Sequence, residues 1–168
     1  ETMRLQTHDD RLKTFLEGQR LELPEAATPV ASYLGARFVP HGNGTSQLWI
    51  SGQGPRKADN TMITRKAGQH MGVDEAKIAG MYCALNSVAQ IKEALGGSLD
   101  RVIMVINVIA LTNSTDNFGK QPLVTNGYSD TLVEIFGSEA GQHTRTALGT
   151  NALPGADVNA SGDEMRPI

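Results

Sequence analysis

Residues 101–112 read Arg-Val-Ile-Met-Val-Ile-Asn-Val-Ile-Ala-Leu-Thr, and this run constrains the fold more than any other. Strand alternation puts Val102, Met104, Ile106, Val108 and Ala110 on one face. Ile103, Val105, Ile109 and Leu111 fall on the other, interrupted only by Asn107. A strand that is apolar on both sides has to be covered on both sides. The chain offers two long helices for this. One begins near Asp74 and ends at Gly96-Gly97, with Ile78, Met81, Leu85, Val88, Ile91 and Leu95 recurring at spacings of three and four. The other runs from about Pro122 to Phe136, apolar at Val124, Leu132 and Ile135, and stops at Gly137. Two helices cover one face of a sheet. The second face is then expected to be buried against copies of the same chain, as a homo-oligomer.

Shorter elements fill in the rest. Asp9 to Glu17 reads as a helix with Leu12, Phe15 and Leu16 as its apolar stripe and Gly18 as its stop. Leu23-Pro24 to Pro29 is a connector. Ser32 to Val39 and Gln47 to Ser51 form a hairpin around the turn His41-Gly42-Asn43-Gly44, and Thr61 to Thr64 is a candidate extension of the sheet. A strand is expected over His143 to Gly149 and a weaker one around Asp157 to Ser161. The fold class is α+β. The 168 residues are expected to form a single domain, with 1–24 an N-terminal helix and connector and 162–168 a loose tail.

A formal charge of -3 supplies no broad basic surface, so binding driven by phosphate neutralisation is disfavoured and nucleic acid is not the expected partner. No apolar run approaches a membrane span, and Glu1-Thr2-Met3-Arg4 contains no apolar signal core. A single cysteine, Cys83, cannot form an internal disulfide, which fits a reducing, cytoplasmic setting. Inside the long helix it reads as a small buried side chain rather than a nucleophile. His8, His41, His70 and His143 lack ligand spacing, so no metal is expected. Neither a Walker loop nor a dinucleotide fingerprint is present.

The feature richest in chemistry is Arg145, within His143-Thr144-Arg145-Thr146-Ala147-Leu148-Gly149. Alternation sends Thr144, Thr146 and Leu148 one way and His143, Arg145, Ala147 and Gly149 the other. A guanidinium among small neighbours presents a rigid fork of donors that fits a carboxylate. Upstream, Ile50-Ser51-Gly52-Gln53-Gly54-Pro55 ends a strand with a hydroxyl, an amide and glycines. Together these suggest a pocket for a small carboxylate. Each residue also has a plainer reading. Arg145 either receives a ligand or pairs with a structural acid, since a buried charge needs a partner in both cases. Ser51 either lines a pocket or satisfies the strand end. Asn126 either joins the site or caps a helix start. His143 either tunes the site or is a structural histidine.

The ordered set Leu23-Pro24, Trp49 to Pro55, Ala84-Leu85-Asn86, Ser98 to Val102, Phe118 to Gly127, His143 to Ala147 and Leu153-Pro154 resembles the Rid proteins, also called YjgF-type or L-PSP-type. The likeness runs from about Asp10 to Val158 and is nearest to their longer subgroup with an extra N-terminal helix. It implies a chorismate-mutase-like mixed sheet with two long helices on one face, and a homotrimer packed through the other with pockets between subunits. It also implies hydrolysis of enamine- or imine-type intermediates of small 2-amino acids to 2-oxo acids and ammonia. No cofactor is implied, and the partners would be a small 2-imino or 2-oxo carboxylate and the chain itself. Tyr33, Ser51, Asn126 and Arg145 match the family's pocket positions. Arg145, Ser51 and Asn126 are the implied catalytic set, and Arg145, Tyr33, Ser51, Gly52, His143 and Ala147 the implied substrate contacts. One departure stands out. Deaminating members carry a glutamate in the last strand, whereas the matching position here falls near Ser161. Two other readings therefore remain in view: a non-catalytic carboxylate-binding regulatory trimer, and the endoribonuclease or translation-inhibitor role that some relatives carry.

Overall fold

The structure, a computed structural model, describes residues 6–153. In chain order it contains α1 (His8–Gln19), β1 (Ala36–Pro40), β2 (Ser46–Ile50), α2 (Val73–Ala94), β3 (Asn107–Asn113), α3 (Gln121–Gly141) and β4 (Thr144–Thr150). This is the expected α+β architecture, with the strands in two small sheets. β1 and β2 form an antiparallel hairpin in which Ala36 faces Ile50 and Pro40 faces Ser46. Its turn uses Gly42 and Gly44 at φ 80° and 87°, a region open to glycine at little cost. β3 and β4 are parallel, with Val108 opposite Arg145 and Ala110 opposite Ala147. Parallel neighbours need a crossover, and α3 provides it. The hairpin rests on α2 and the parallel pair on α3, with no packing between the two sheets among the described residues.

The double-sided apolar run behaves differently from its sequence reading. Only its second half, from Asn107, joins a ladder, while 101–106 lead in as irregular chain held by the Val105 N–H donating to the Ala140 carbonyl at 2.7 Å. Among the described residues β4 is the strand that pairs with β3 in its sheet, and it begins level with Asn107. The inner face, Val108 and Ala110, is buried under α3, whereas Ile109 on the outer face is 52% exposed. Met104 and Ile106 share that exposure. Thr61 to Thr64 contributes just one bridge, Met62 to Arg56, and Ser32 to Leu34 precede β1 rather than forming part of it. The expected strand around Asp157 to Ser161 and the tail from 162 lie outside the described residues.

The two long helices cross on glycines. A Cβ built on Gly127 would stand 2.0 Å from the Lys77 carbonyl oxygen, and one on Gly80 would meet the Val124 carbonyl oxygen at 3.1 Å. The small-residue side of α2 (Ala76, Ala79, Gly80, Cys83) is therefore buried, and Ile78, expected in the apolar stripe, is half exposed. Gly72, not Asp74, precedes the first turn, its N–H donating to Glu75 Oε2 at 3.1 Å. Asp74 sits inside that turn, where a negative charge favours the helix. α3 departs from helical geometry at Gly137, with φ 81°, and a last turn continues to Gly141. Leu12 and Phe15 of α1, Leu85 and Val88 of α2, and Leu132, Ile135 and Phe136 of α3 close the main core with Leu99.

Candidate anion site at Arg145

Arg145 lies on the inner face of β4, where alternation and the crossover aim its side chain at α3. Pro122, Asn126 and Ser129 are spaced four and three apart, so they share one side of that helix. All three accept from the guanidinium. Nη1 donates to Asn126 Oδ1 at 2.9 Å and to Ser129 Oγ at 3.1 Å, and Nη2 donates to the Pro122 carbonyl at 3.2 Å. These partners are neutral, and no carboxylate pairs with Arg145 among the described residues. A guanidinium has five N–H donors. Dipoles thus hold the charge in place and leave the Nε–H and one Nη2–H for a ligand. Of the two sequence readings, that of an arginine paired with a structural acid finds no such acid among the described residues.

His143 stands two residues earlier on the same face. Its Nδ1 lies 2.6 Å from the Gly141 carbonyl, and its Nε2 lies 3.0 Å from Ser129 Oγ. Ser129 thereby links the histidine to the arginine. Sequence reasoning did not single out Ser129 or the Pro122 carbonyl. The available signal was positional: both sit one turn from Asn126 on the same helix face. Asn126, one turn into α3, accepts from Arg145 and is not a cap. Ala147 follows on the Arg145 face. Further along, Gly149 has Gln121 Nε2 and Ser114 Oγ each 2.7 Å from where a Cβ would be, so a larger residue would have to displace those side chains.

Ser51, Gly52 and Tyr33 are elsewhere in the chain. Ser51 closes the hairpin, its hydroxyl donating to the Leu34 carbonyl at 2.5 Å and its N–H to the Gly35 carbonyl at 2.9 Å. Gly52 is exposed just beyond β2, and Tyr33 is half exposed just before β1. Within one chain they do not join the Arg145 cluster, because they belong to the hairpin sheet, which does not touch the parallel pair. Cys83 is fully buried, and burial pushes its thiol pKa well up, which leaves it protonated and inert. Among the described residues, no three His, Cys, Asp or Glu side chains gather as a ligand set, and no helix is long and apolar enough to cross a membrane.

Residues 13–159 match the protein family described as "YjgF/chorismate_mutase-like, putative endoribonuclease". The chain belongs to this family. Protein TCP17 of Trypanosoma cruzi is 37% identical over 144 residues, which is 86% of each chain. Two crystal structures resemble it closely. One, from Shewanella oneidensis and described as a "putative endoribonuclease", is 30% identical with a TM-score of 0.77, covering 89% of this chain and 91% of its own. The other, a protein of unknown function from Agrobacterium tumefaciens, is 32% identical with a TM-score of 0.75, covering 96% and 94%. The resemblance to YjgF-type proteins read from the motifs is thus a family membership. The fold is the YjgF/chorismate-mutase-like one, and Arg145 and Asn126 lie inside the matched span.

Proposed function

We propose that this YjgF-family chain is a cofactor-free deaminase, which hydrolyses the imines of small 2-amino acids to 2-oxo acids and ammonia. The observation that carries the reading is the guanidinium of Arg145, fixed by three neutral acceptors with two N–H donors to spare. A substrate carboxylate taken on that fork gains charge-assisted hydrogen bonds and is oriented at the same time. An iminium carbon is already electrophilic, so water addition and loss of ammonia need positioning and proton transfer rather than a cofactor. A carboxylate site at a fixed arginine suits a small anionic metabolite better than a polynucleotide, and the net charge of -3 and pI near 5.8 weigh against RNA as substrate.

The same reading includes a homotrimer. The outer face of the parallel pair carries Ile109 and Leu148, both 52% exposed, and Trp49 on the hairpin is 65% exposed. Apolar surface of that kind on strands favours association. A neighbouring copy would supply Ser51, Gly52 and Tyr33 to the Arg145 cluster, as the family resemblance implies.

The test is to generate 2-imino acid in situ with a pyridoxal-phosphate dehydratase and follow ammonia and 2-oxo acid release. The expected result is release faster than the spontaneous rate, lost in Arg145→Ala. A regulatory trimer, the reading favoured by a match near Ser161 for the glutamate that deaminating relatives carry, would instead bind 2-oxobutyrate through Arg145 without turnover. Equal release with and without the protein, together with no Arg145-dependent carboxylate binding, would exclude both readings.

A further inference from the structure

We infer that Asn43 is a modification site: the tip of the β1–β2 hairpin is built to lose ammonia and become aspartate or isoaspartate. The site is independent of any activity at Arg145. The chain holds two Asn-Gly pairs, Asn43-Gly44 and Asn126-Gly127. Such a pair is reactive because the amide nitrogen of the second residue can close a succinimide ring on the asparagine side chain, and glycine has no Cβ to obstruct the approach. The fold treats the two pairs in opposite ways.

At Asn43 the side chain and the nucleophile are both free to meet. Residues 41–44 are exposed, and the loop is closed by the His41 N–H donating to the Thr45 carbonyl at 3.0 Å. Asn43 Oδ1 accepts from the Thr45 N–H at 3.0 Å and from Thr45 Oγ1 at 2.7 Å. This is an Asx turn, which folds the side chain back along its own C-terminal peptide, the one that carries the Gly44 nitrogen. Gly44 lies at φ 87°, and a Cβ on it would meet nothing within 4 Å. Its N–H has no protein acceptor among the described residues, so no ladder holds the nucleophile back. The two Thr45 donors also act on the reaction. Negative charge builds on Oδ1 as the ring closes, and hydrogen bonds to an oxyanion are stronger than those to a neutral carbonyl. Thr45 therefore favours the transition state over the resting amide.

Asn126-Gly127 lacks this freedom. Asn126 Oδ1 also accepts a hydrogen bond, from Arg145 Nη1 at 2.9 Å, but its nucleophile is locked. Gly127 lies past the first turn of α3, where each N–H is committed to the carbonyl four residues back. It is also pressed against the Lys77 backbone. Ring closure there would mean unwinding α3 at its crossing with α2. The helix thus protects the amide that faces Arg145.

The steps balance. A solvent base takes the Gly44 amide proton, and the nitrogen pair attacks Asn43 Cγ. The new C–N bond forms as the C=O π pair moves onto Oδ1. The oxyanion collapses, the Cγ–Nδ2 bond breaks, and Nδ2 leaves as ammonia with a proton from solvent. Water then opens the succinimide. Cleavage at Cγ gives aspartate, and cleavage at the main-chain carbonyl gives isoaspartate. Overall, asparagine and water give a carboxylate and ammonium. Either product adds a negative charge to the tip. Isoaspartate also lengthens the main chain by a methylene between Pro40 and Ser46, which face each other in the hairpin.

The experiment incubates the full chain at neutral pH in water enriched in heavy oxygen and maps its peptides by mass spectrometry. Incorporated label marks deamidation during the incubation, and an isoaspartyl methyltransferase reports the isoaspartate. Asn43 is expected to convert faster than Asn126 by about tenfold or more. In urea, with the fold removed, the two are expected to convert at similar rates. Thr45→Val keeps the N–H donor and removes the hydroxyl, and is expected to slow Asn43 by about tenfold, the effect of one hydrogen bond, with the melting temperature of the wild type. A folded wild type in which Asn43 takes up label no faster than Asn126 overturns the site. A difference that persists in urea overturns the structural cause, because sequence alone would then explain it. A Thr45→Val chain that deamidates as fast as wild type overturns the role of Thr45.

Discussion

Asn126 Oδ1 accepts from Arg145 Nη1 at 2.9 Å, and this contact defines the charge of the site: an amide, not a carboxylate, sits against the guanidinium. The isosteric change Asn126→Asp places an acid at that position and supplies the counterion that the described residues do not. A ligand carboxylate then competes with an internal one. The expected outcome is 2-oxobutyrate binding weakened by about 10- to 100-fold, or about 1.4–2.8 kcal/mol, with an unchanged or raised melting temperature. Titration calorimetry on Asn126→Asp beside Asn126→Ala checks this. An Asp variant that binds as tightly as wild type would show that the carboxylate does not depend on the uncompensated charge of Arg145.

Ile109 faces outward between Asn107 and Leu111 on β3 and is half exposed, on the same outer side of the parallel pair as Leu148. If copies of the chain cover that face, Ile109→Glu puts a charge into a buried apolar interface. The expected outcome is a shift from trimer to monomer in sedimentation at micromolar concentration, with deaminase activity falling in parallel because Ser51 and Tyr33 no longer reach Arg145. A wild type that sediments as a monomer refutes the trimer outright.

Much of this molecule was legible because periodicity reports local geometry. The repeat in α2, the glycine turn of the hairpin and the alternation around Arg145 are each set by neighbours in sequence, and each appears where expected. What was not legible depends on partners far along the chain. The extent of β3 is fixed by where β4 pairs with it, so the apolar run 101–106 reads as strand without forming one. The buried side of α2 follows from α3 crossing on glycines, which hides Ala76 and Ala79 and exposes Ile78. At the site, Arg145 and Asn126 were visible through residue type and motif. Ser129 is an ordinary helix serine until folding places His143 and Arg145 on either side of it.

The approach of α2 to α3 at Gly127 leaves no room for a side chain. A Cβ there would be 2.0 Å from the Lys77 carbonyl oxygen and 2.7 Å from its carbon, and both are backbone atoms that cannot swing away. Gly127→Ala has to push the helices apart and disturb the neighbouring residues Asn126 and Ser129. Overpacking of this kind costs typically about 1–3 kcal/mol, and the rigid neighbour puts this case at the upper end or beyond. Chemical denaturation is expected to show that loss, with 2-oxobutyrate affinity falling as well. Gly18→Ala, at a position with nothing within 4 Å, is expected to be near neutral and serves as the control.

Asp9 ties α1 to the rest of the fold, and its ionisation makes that attachment sensitive to acid. Its carboxylate accepts from Lys92 Nζ at 2.9 Å, Ser98 Oγ at 2.5 Å and the Leu99 N–H at 3.3 Å. Desolvation works to raise its pKa, but the hydrogen bonds from Ser98, Lys92 and Leu99, with the charge of Lys92, together outweigh it and bring the pKa below 3.8. A carboxyl whose folded pKa is depressed binds protons more weakly in the native state. Its contribution is therefore present in full above the unfolded value and is lost as pH falls through the lowered folded one. Asp9→Asn is expected to cost about 1–3 kcal/mol at neutral pH. It should also flatten the fall in stability below the ordinary aspartate range, because the neutral amide has no proton to gain. Urea unfolding of both proteins from neutral pH down to about pH 2 checks this. Parallel curves, offset by a constant amount over the whole range, would mean that the titration of Asp9 does not hold α1 in place.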